Sequence, residues 1–508
     1  MSAQAGGGRY QLVQQDDRFD GTLRATKALL RDVAAARGPE DVLPAMTAGH
    51  NVFFAHEYRP YAACAHEYLK VMQSGAGSSA LTTSNGIVEF QLPMAKTHML
   101  TDACVRVRIA AIGTQTPTAS SLKYRYVAYP GVRLFQLSEF VSGGVAVDRV
   151  TPDDVAHLLK NTLPMYKLPG FQRCVGQQTE QIGQAYSGNE FTSLNSYANG
   201  PQTAKYYQPA LEMFIPLWFF FNSDPAAALL STLVPSTQCI YRFRLATLAQ
   251  MLRAYTYDQV GDTLTETALP IQGLQMTMEL YQGSLMLPEK VFAALSSATR
   301  FSLIRVHEHM LKTLNAASDR IQLAQLKYPV EELMLGIRAI ANADDPDYWV
   351  LMGGYTAPAF NRAPAFSVTR YNDVLVPPAL QPIEKFTTPV GGLGPLVDTL
   401  GLVAHDISIR PELATNFYSS YIPLRYVNNV QTTTPTDPNE CLVPFNLLPF
   451  ARDPSGQLHL SSDREVFLVY TSSVISATAH AELSVSAVAV NFLYRSPTSD
   501  QVSLLFPV

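Results

Sequence analysis

Apolar and polar positions alternate with a period of two in many short runs of this chain. In IVEFQL, Val88, Phe90 and Leu92 alternate with Glu89 and Gln91, and in CVRVRI, Val105, Val107 and Ile109 alternate with Arg106 and Arg108. LKYRY sets Leu122, Tyr124 and Tyr126 against Lys123 and Arg125, and QMTMEL sets Met276, Met278 and Leu280 against Thr277 and Glu279. Successive side chains of a strand point to opposite faces, so each run predicts a half-buried antiparallel strand. Turn formers separate the runs, as at Ser84-Asn85-Gly86, Pro130-Gly131 and Gly143-Gly144.

Helical signals are few and fall between strands. Residues 151–163 offer Thr151 as an N-cap, Pro152 at the first helical position, and Asp153 and Asp154 in the first turn, where carboxylates meet the positive end of the helix dipole. Residues 224–233 repeat that opening with Asp224 and Pro225, and residues 287–298 open with Pro288 and Glu289. Residues 22–37 form an amphipathic pattern with Leu23, Leu30 and Val33 on one face and Arg24, Lys27 and Arg31 on another. By local pattern alone, PVEELMLGIRAIANA also reads as a helix. Many short strands with helices in the loops predict sandwiches or jelly rolls, and 508 residues suit two barrels better than one.

The most apolar and aromatic stretch is LEMFIPLWFFFNSDPAAALL, residues 211–230. Its apolar run spans about nine residues and is broken by Pro216, whereas a membrane-spanning helix needs about 18–20. IPLWFFF is apolar on both faces, which predicts a strand buried on both sides, with Asn222 to Asp224 turning the chain into a helix.

Composition narrows the function classes. Charged residues are 16% of the chain, below the roughly 25% of an average soluble protein, and there are 34 prolines. A surface short of charge suits a protein that covers much of its exterior with partners. The net charge is −5 and no Lys/Arg run stands out, so direct nucleic-acid binding is not expected. The five cysteines form no CxxC pair, no Asn-x-Ser/Thr acceptor occurs, and the first twenty residues hold no apolar core. Folding in a reducing, cytoplasmic compartment is expected.

Candidate chemistry is sparse. His56-Glu57 and His66-Glu67 lack the second histidine of HExxH, since Pro60 and Lys70 stand there. His307 and His309 would share one face of a strand, as a cupin-like metal site requires, or serve as ordinary polar residues at a strand end. There is no GxSxG elbow, Walker A loop or GxGxxG. Neither a catalytic constellation nor a cofactor is expected.

At residues 199–222, NGPQTAKYYQPALEMFIPLWFFFN, the chain resembles the major capsid proteins of the nucleocytoplasmic large DNA viruses, African swine fever virus and its relatives among them. Further segments resemble that family in consistent order: 52–71, YPGVRLFQLSEFVSGGVAVDRVTPDDV (129–155), TRFSLIRVHEHML (299–311), KYPVEELMLGI (327–337), NFYSSYIPLRY (416–426), PSGQLHLSSDREVFLVY (454–470) and ELSVSAVAVNFLY (482–494). The resemblance implies an all-β double jelly roll of two eight-stranded barrels with short helices in loops. It makes 327–337 a strand, and 416–426 and 454–470 closing strands. It divides the chain into an arm (1–44), a first jelly roll (45–286), a linker helix (287–298) and a second jelly roll (299–508). Pro216, Trp218, Phe219, Phe220, Phe221, Tyr129, Pro130, Gly131, Ser455 and Gly456 are expected in the structural core. The implied function is a non-enzymatic virion protein, a homotrimer forming pseudo-hexagonal capsomers of an icosahedral shell. The implied partners are neighbouring capsomers, minor capsid proteins, the penton, the internal viral membrane and a virus-encoded folding chaperone, with assembly in the host cytoplasm. The alternative is a jelly-roll glycan- or receptor-binding protein, with Tyr418 and Tyr421 as exposed stacking rings.

Overall fold

The computed structural model describes residues 64–508 apart from 178–200, 350–394, 428–438 and several shorter stretches. The predicted arm (1–44) and its helix at 22–37 lie outside the described residues. Eight strands build a first barrel: β1 (Ala65–Met72), β2 (Ile87–Gln91), β3 (Met99–Ile109), β4 (Phe135–Ser142), β5 (Val145–Val150), β6 (Leu211–Pro216), β7 (Cys239–Leu245) and β8 (Gly273–Met286). They form two antiparallel sheets, in order β1-β8-β3-β6 and β2-β7-β4-β5.

Eight more build a second barrel: β9 (Phe301–Leu314), β10 (Ser318–Gln322), β11 (Pro329–Ala339), β12 (Thr399–Ala404), β13 (Ile407–Ala414), β14 (Glu440–Pro444), β15 (Val466–Thr471) and β16 (Ala481–Arg495). Their sheets run β9-β16-β11-β14 and β10-β15-β12-β13, the same order shifted by eight. The chain is an all-β double jelly roll. No sequence repeat announces this repeated topology.

The alternating runs sit where their period places them. Val105, Val107 and Ile109 of β3 face the first core with no exposed surface, as do Val88 and Phe90 of β2, while Arg106 and Arg108 point outward. Helices cap and link the barrels: α1 (Pro130–Leu134), α2 (Pro152–Thr162), α3 (Leu168–Cys174) and α4 (Glu289–Ala298). Thr151 caps α2 as predicted, in a capping box in which its hydroxyl accepts from the Asp154 N–H and the Asp154 carboxylate accepts from the Thr151 N–H. The linker 287–298 is helical over α4.

Four expectations fail locally. The stretch 211–221 is not one strand buried on both faces. β6 ends at Pro216 with Leu211, Met213 and Ile215 inward and Phe214 outward, and Trp218 to Phe221 lie beyond it in a loop. The predicted helix at 224–233 is not formed over its described part, 227–233: Leu229–Leu230 pair with Met99–Leu100 of β3 and one tight turn, Ser231–Leu233, follows, while 224–226 lie outside the described residues. Two leucines buried beside an open strand edge gain a ladder and a core position, which outweighs alanine-rich helix propensity. Residues 416–426 are not a closing strand either. A wide helical turn at Phe417–Tyr421 runs into α5 (Ile422–Tyr426), with Pro423 in its first turn, where no N–H is needed. In 454–470, Ser455 and Gly456 belong to a surface loop rather than the core. The Ser455 hydroxyl accepts the Leu448 N–H at 2.9 Å, and Gly456 has φ +145°, with the Phe445 carbonyl 2.9 Å from where a Cβ would stand.

The family's reading of 327–337 holds over the local helical pattern. Every residue of β11 is buried, because one face meets the barrel core and the other meets α2. A strand covered on both sides loses its period of two.

Candidate assembly surfaces

The aromatic stretch after β6 fills the first barrel. Phe219, Phe220 and Phe221 are buried; the Phe219 ring stacks on Tyr241 at 5.3 Å, and Phe221 meets Phe140 edge-on at 5.0 Å. Tyr241 donates its hydroxyl to Gln282 Oε1 at 2.8 Å, so its one polar atom is paired inside the barrel. Trp218 is only half-buried and packs edge-on against Phe171 of α3 at 6.2 Å, with Pro216 half-buried beside it. Tyr129, Pro130 and Gly131 are buried at the barrel end. Tyr129 takes a left-handed conformation (φ 48°) and its N–H donates to Gln177 at 2.7 Å. A Cβ on Gly131 would meet the Val175 backbone at 2.9 Å, so this close crossing of α1 and the end of α3 needs glycine.

The polar centre of the molecule is the seam between the barrels. α2 places Asp153, Asp154, His157 and Asn161 on one buried face, at the spacing that stacks side chains along a helix. Against that face lies the outer side of sheet β9-β16-β11-β14. Arg338 on β11 donates to Asp153 at 2.8 Å and to Glu482 of β16, directly opposite in register, at 2.5 Å. His157 meets Glu440 of β14 at 2.7 Å and Ser484 of β16 at 3.1 Å, and Asn161 donates to Glu440 at 3.3 Å. Lys160 adds a cation 3.5 Å from Glu440. Trp349, fully buried, locks the seam by donating to the Ala128 carbonyl, and its own carbonyl accepts from Arg338, each at 2.8 Å.

His307 and His309 share a face of β9 as predicted, but each points at a carboxylate of the first barrel. His307 lies 3.2 Å from Asp148 of β5, and His309 lies 3.2 Å from Asp154 of α2. Among the described residues no group of three His, Cys, Asp or Glu could hold a metal ion. The second stacking ring proposed for a glycan surface is also altered: Tyr421 is 53% exposed, but Tyr418 is buried, its hydroxyl donating to the Pro411 carbonyl.

The seam's charges set a pH dependence. Burial alone would pull both imidazoles down. The carboxylates of Asp148, Asp154 and Glu332 around His307, and of Asp154 and Asp153 around His309, outweigh it and hold both above the usual value, with Arg338 opposing at His309. Burial also favours neutral Asp153 and Glu440. Arg338 beside the first, and His157 and Lys160 beside the second, hold them below the usual carboxylate range. A raised histidine stabilises the fold below its ordinary value of about 6.5 and loses that contribution as pH rises through its folded value. A lowered carboxylate contributes above its ordinary value of about 4 and loses that contribution as pH falls. Glu332, pushed up to about 7 by burial with Glu331 beside it, contributes fully only below its ordinary value and loses that contribution as pH rises through about 7, which adds to the fall on the alkaline side. The seam is therefore strongest between about pH 4.5 and 6.5. The thermal midpoint is expected to fall as pH rises from about 6.5 to 8.5, and His307→Gln with His309→Gln should flatten that fall. Calorimetry across the range checks this; a wild-type midpoint that stays constant contradicts the assignment.

The first barrel's matching sheet, β1-β8-β3-β6, turns outward a ladder of charge and aromatic rings. Lys70 of β1 lies 2.6 Å from Glu279 of β8, and Arg106 of β3 bridges Glu279 at 3.1 Å and Glu212 of β6 at 2.5 Å. Arg106 also lies over the Phe214 ring, which is 43% exposed, and Tyr68 is 54% exposed.

Two barrels of identical strand order in one chain, joined through a buried seam, define a double jelly-roll protein. No family model matches the chain. It is similar to the major capsid protein of African swine fever virus, 23% identical over an alignment covering 96% of this chain and 98% of that protein, and equally to "Hexon protein p72" of another strain of that virus. Among solved structures it is similar to the Faustovirus major capsid protein, with TM-score 0.67, 20% identity and coverage of 95% of this chain and all of that one. The PBCV-1 virus capsid structure matches with TM-score 0.60 and 17% identity over 90% of this chain. Over nearly its whole length the chain resembles the major capsid proteins of the nucleocytoplasmic large DNA viruses, and it is a structural component of the virion capsid.

Sequence reasoning missed most of the seam. Asp153 and Asp154 stood out only as helix-start residues, and Glu440, Glu482 and Trp349 carried no local signal. Arg338 did carry one: with Glu331 and Glu332 it sits inside an otherwise apolar run, and charges there need partners.

Proposed function

We propose that three copies of this chain form a pseudo-hexagonal capsomer of six barrels, and that these capsomers tile an icosahedral shell around an internal membrane. The observation that carries this is the repeated strand order of the two barrels, which gives one chain two near-equivalent wall units. An outward sheet with exposed Tyr68 and Phe214 supplies surface for neighbours. Each interface between chains has to bury well over ~2,000 Å² to be obligate, and closed symmetry then fixes its geometry. The protein acts by burial and symmetry, not by catalysis. Its further partners are minor capsid proteins, the penton, the internal viral membrane and a folding chaperone, with assembly in the host cytoplasm. Open strand edges and apolar patches make the free monomer prone to aggregation.

The test is the mass of the purified protein by light scattering, followed by negative-stain imaging. Three times 55.8 kDa is 167.4 kDa, and a particle of that mass with a hexagonal outline is expected. A well-behaved monomer at micromolar concentration would overturn the capsomer.

A further inference from the structure

The two barrels share a topology but not the same cover. In the second, Arg338 of β11 stands opposite Glu482 of β16, and α2, the helix that follows β5, lays Asp153 on that pair. In the first, Arg106 of β3 stands opposite Glu279 of β8, on the matching strands, and the two pair at 3.1 Å. Here the sheet's outer face leaves Tyr68, Met72 and Phe214 exposed. The strand that matches β5 is β13, and behind it comes the helical segment Phe417–Tyr426. Its inner side, Tyr418, Ile422 and Pro423, is buried on its own barrel. Its outer side presents Tyr421, Leu424, Arg425 and Tyr426, with Leu424 71% exposed.

We propose that the segment Phe417–Tyr426 of one chain docks on the outer face of β1-β8-β3-β6 of a second copy, as α2 docks on β9-β16-β11-β14 within the chain. The proposal rests on the capsomer reading above and names the surface that joins its chains.

The chemistry of the two faces matches position by position. Two residues before Arg338, Gly336 lies between Ser484 and Glu440, the groups that meet His157 and Asn161 of α2. Two residues before Arg106, Cys104 lies between Tyr281 and Pro216, with the Phe214 ring 6.5 Å from that of Tyr281. A polar seat in the second barrel thus corresponds to an apolar and aromatic seat in the first. The helix for the polar seat carries His157 and Asn161, and the helix for the apolar seat carries Tyr421 and Leu424. Charge agrees at the margin. Arg425 is the exposed cation of the segment, and Asp102 and Glu212, each nearly half exposed, are carboxylates flanking the seat. The charges on this face, Lys70, Glu279, Arg106 and Glu212, are already paired with one another, so a contact led by apolar side chains between separately folded chains leaves none of them without its partner. Using one barrel-to-barrel relation both within and between chains lets a head-to-tail ring close.

The experiment compares full-length wild type with Leu424→Asp and Tyr421→Asp by mass photometry over a dilution series. Both side chains are exposed, so the thermal midpoint and circular dichroism at high concentration should match wild type. Each change is expected to raise the concentration of half-dissociation by roughly tenfold or more. A benzoylphenylalanine placed at 424, in capsomers mixed from two nitrogen isotopes, should crosslink to residues 212–216 or 277–283 of the other chain. Trimers that survive dilution unchanged in both variants, or crosslinks that fall elsewhere, overturn the docking surface and leave the capsomer standing. A monomeric wild type removes both.

Discussion

Truncating Arg338 to alanine is expected to destabilise the folded chain by about 3–5 kcal/mol, the range for removing one partner of a buried ion pair. Its guanidinium is nearly enclosed and donates to Asp153, Glu482 and the Trp349 carbonyl at once. Without it, two carboxylates face each other inside the seam with no cation between them, and desolvation makes that costlier than losing the hydrogen bonds alone. The loss should be coupled. Asp153→Ala in the Arg338→Ala background should cost less than Asp153→Ala in wild type, because the charge it removes is already unpaired. Calorimetry at about pH 6, where the seam is strongest, measures all three proteins. Costs that simply add would show that the pair does not bind the barrels together. Replacing Arg338 and both of its carboxylates, Asp153 and Glu482, with apolar residues of similar volume should recover part of the stability, since buried ion pairs exchange well for such groups.

Phe221→Ala is the other large effect, at about 3–5 kcal/mol. The ring has no exposed surface and touches Phe140, Phe220 and Tyr241, whose rings hold one another in place. A barrel whose walls are tied by ladders has little freedom to collapse into the void, so most of the cavity cost should remain. Trp218→Ala should cost clearly less despite removing a larger side chain, because Trp218 is only half-buried, outside the barrel wall. Thermal midpoints of the two variants check the order; a greater loss at Trp218 would place the barrel's aromatic centre wrongly.

The misreading of Trp218 shows where local pattern stops. IPLWFFF has no polar position to mark where the strand ends, so periodicity cannot distinguish a long doubly buried strand from a short strand followed by a packed loop. Pro216 was the one available marker, and β6 does end there. The segment 416–426 failed for a related reason. It was read as a strand from its resemblance to the family, since NFYSSYIPLRY has no period of its own to decide between strand and helix, and the contacts with β13 and β14 select the helix. Conversely, 329–339 looked helical because both its faces are covered, one of them by α2.

The sequence by itself determined the class of this protein: short alternating strands, turn residues between them, low charge, and segments in the order of a capsid family. The strands and turns are carried by the local period of two and by turn chemistry, which each segment specifies without knowing its neighbours, while the capsid class rests on the resemblance of the segments in order. It also placed α2 and its cap, because a capping box is a contact between residues three apart. Only the tertiary structure decided that the two barrels repeat one strand order, that His307 and His309 answer Asp148 and Asp154 instead of a metal, and that Arg338 joins α2 to the second sheet. Those facts depend on pairs such as Asp153 and Arg338, 185 residues apart. Such partners meet only in the tertiary fold, and the free energy of a buried charge depends on which partner is there to meet it.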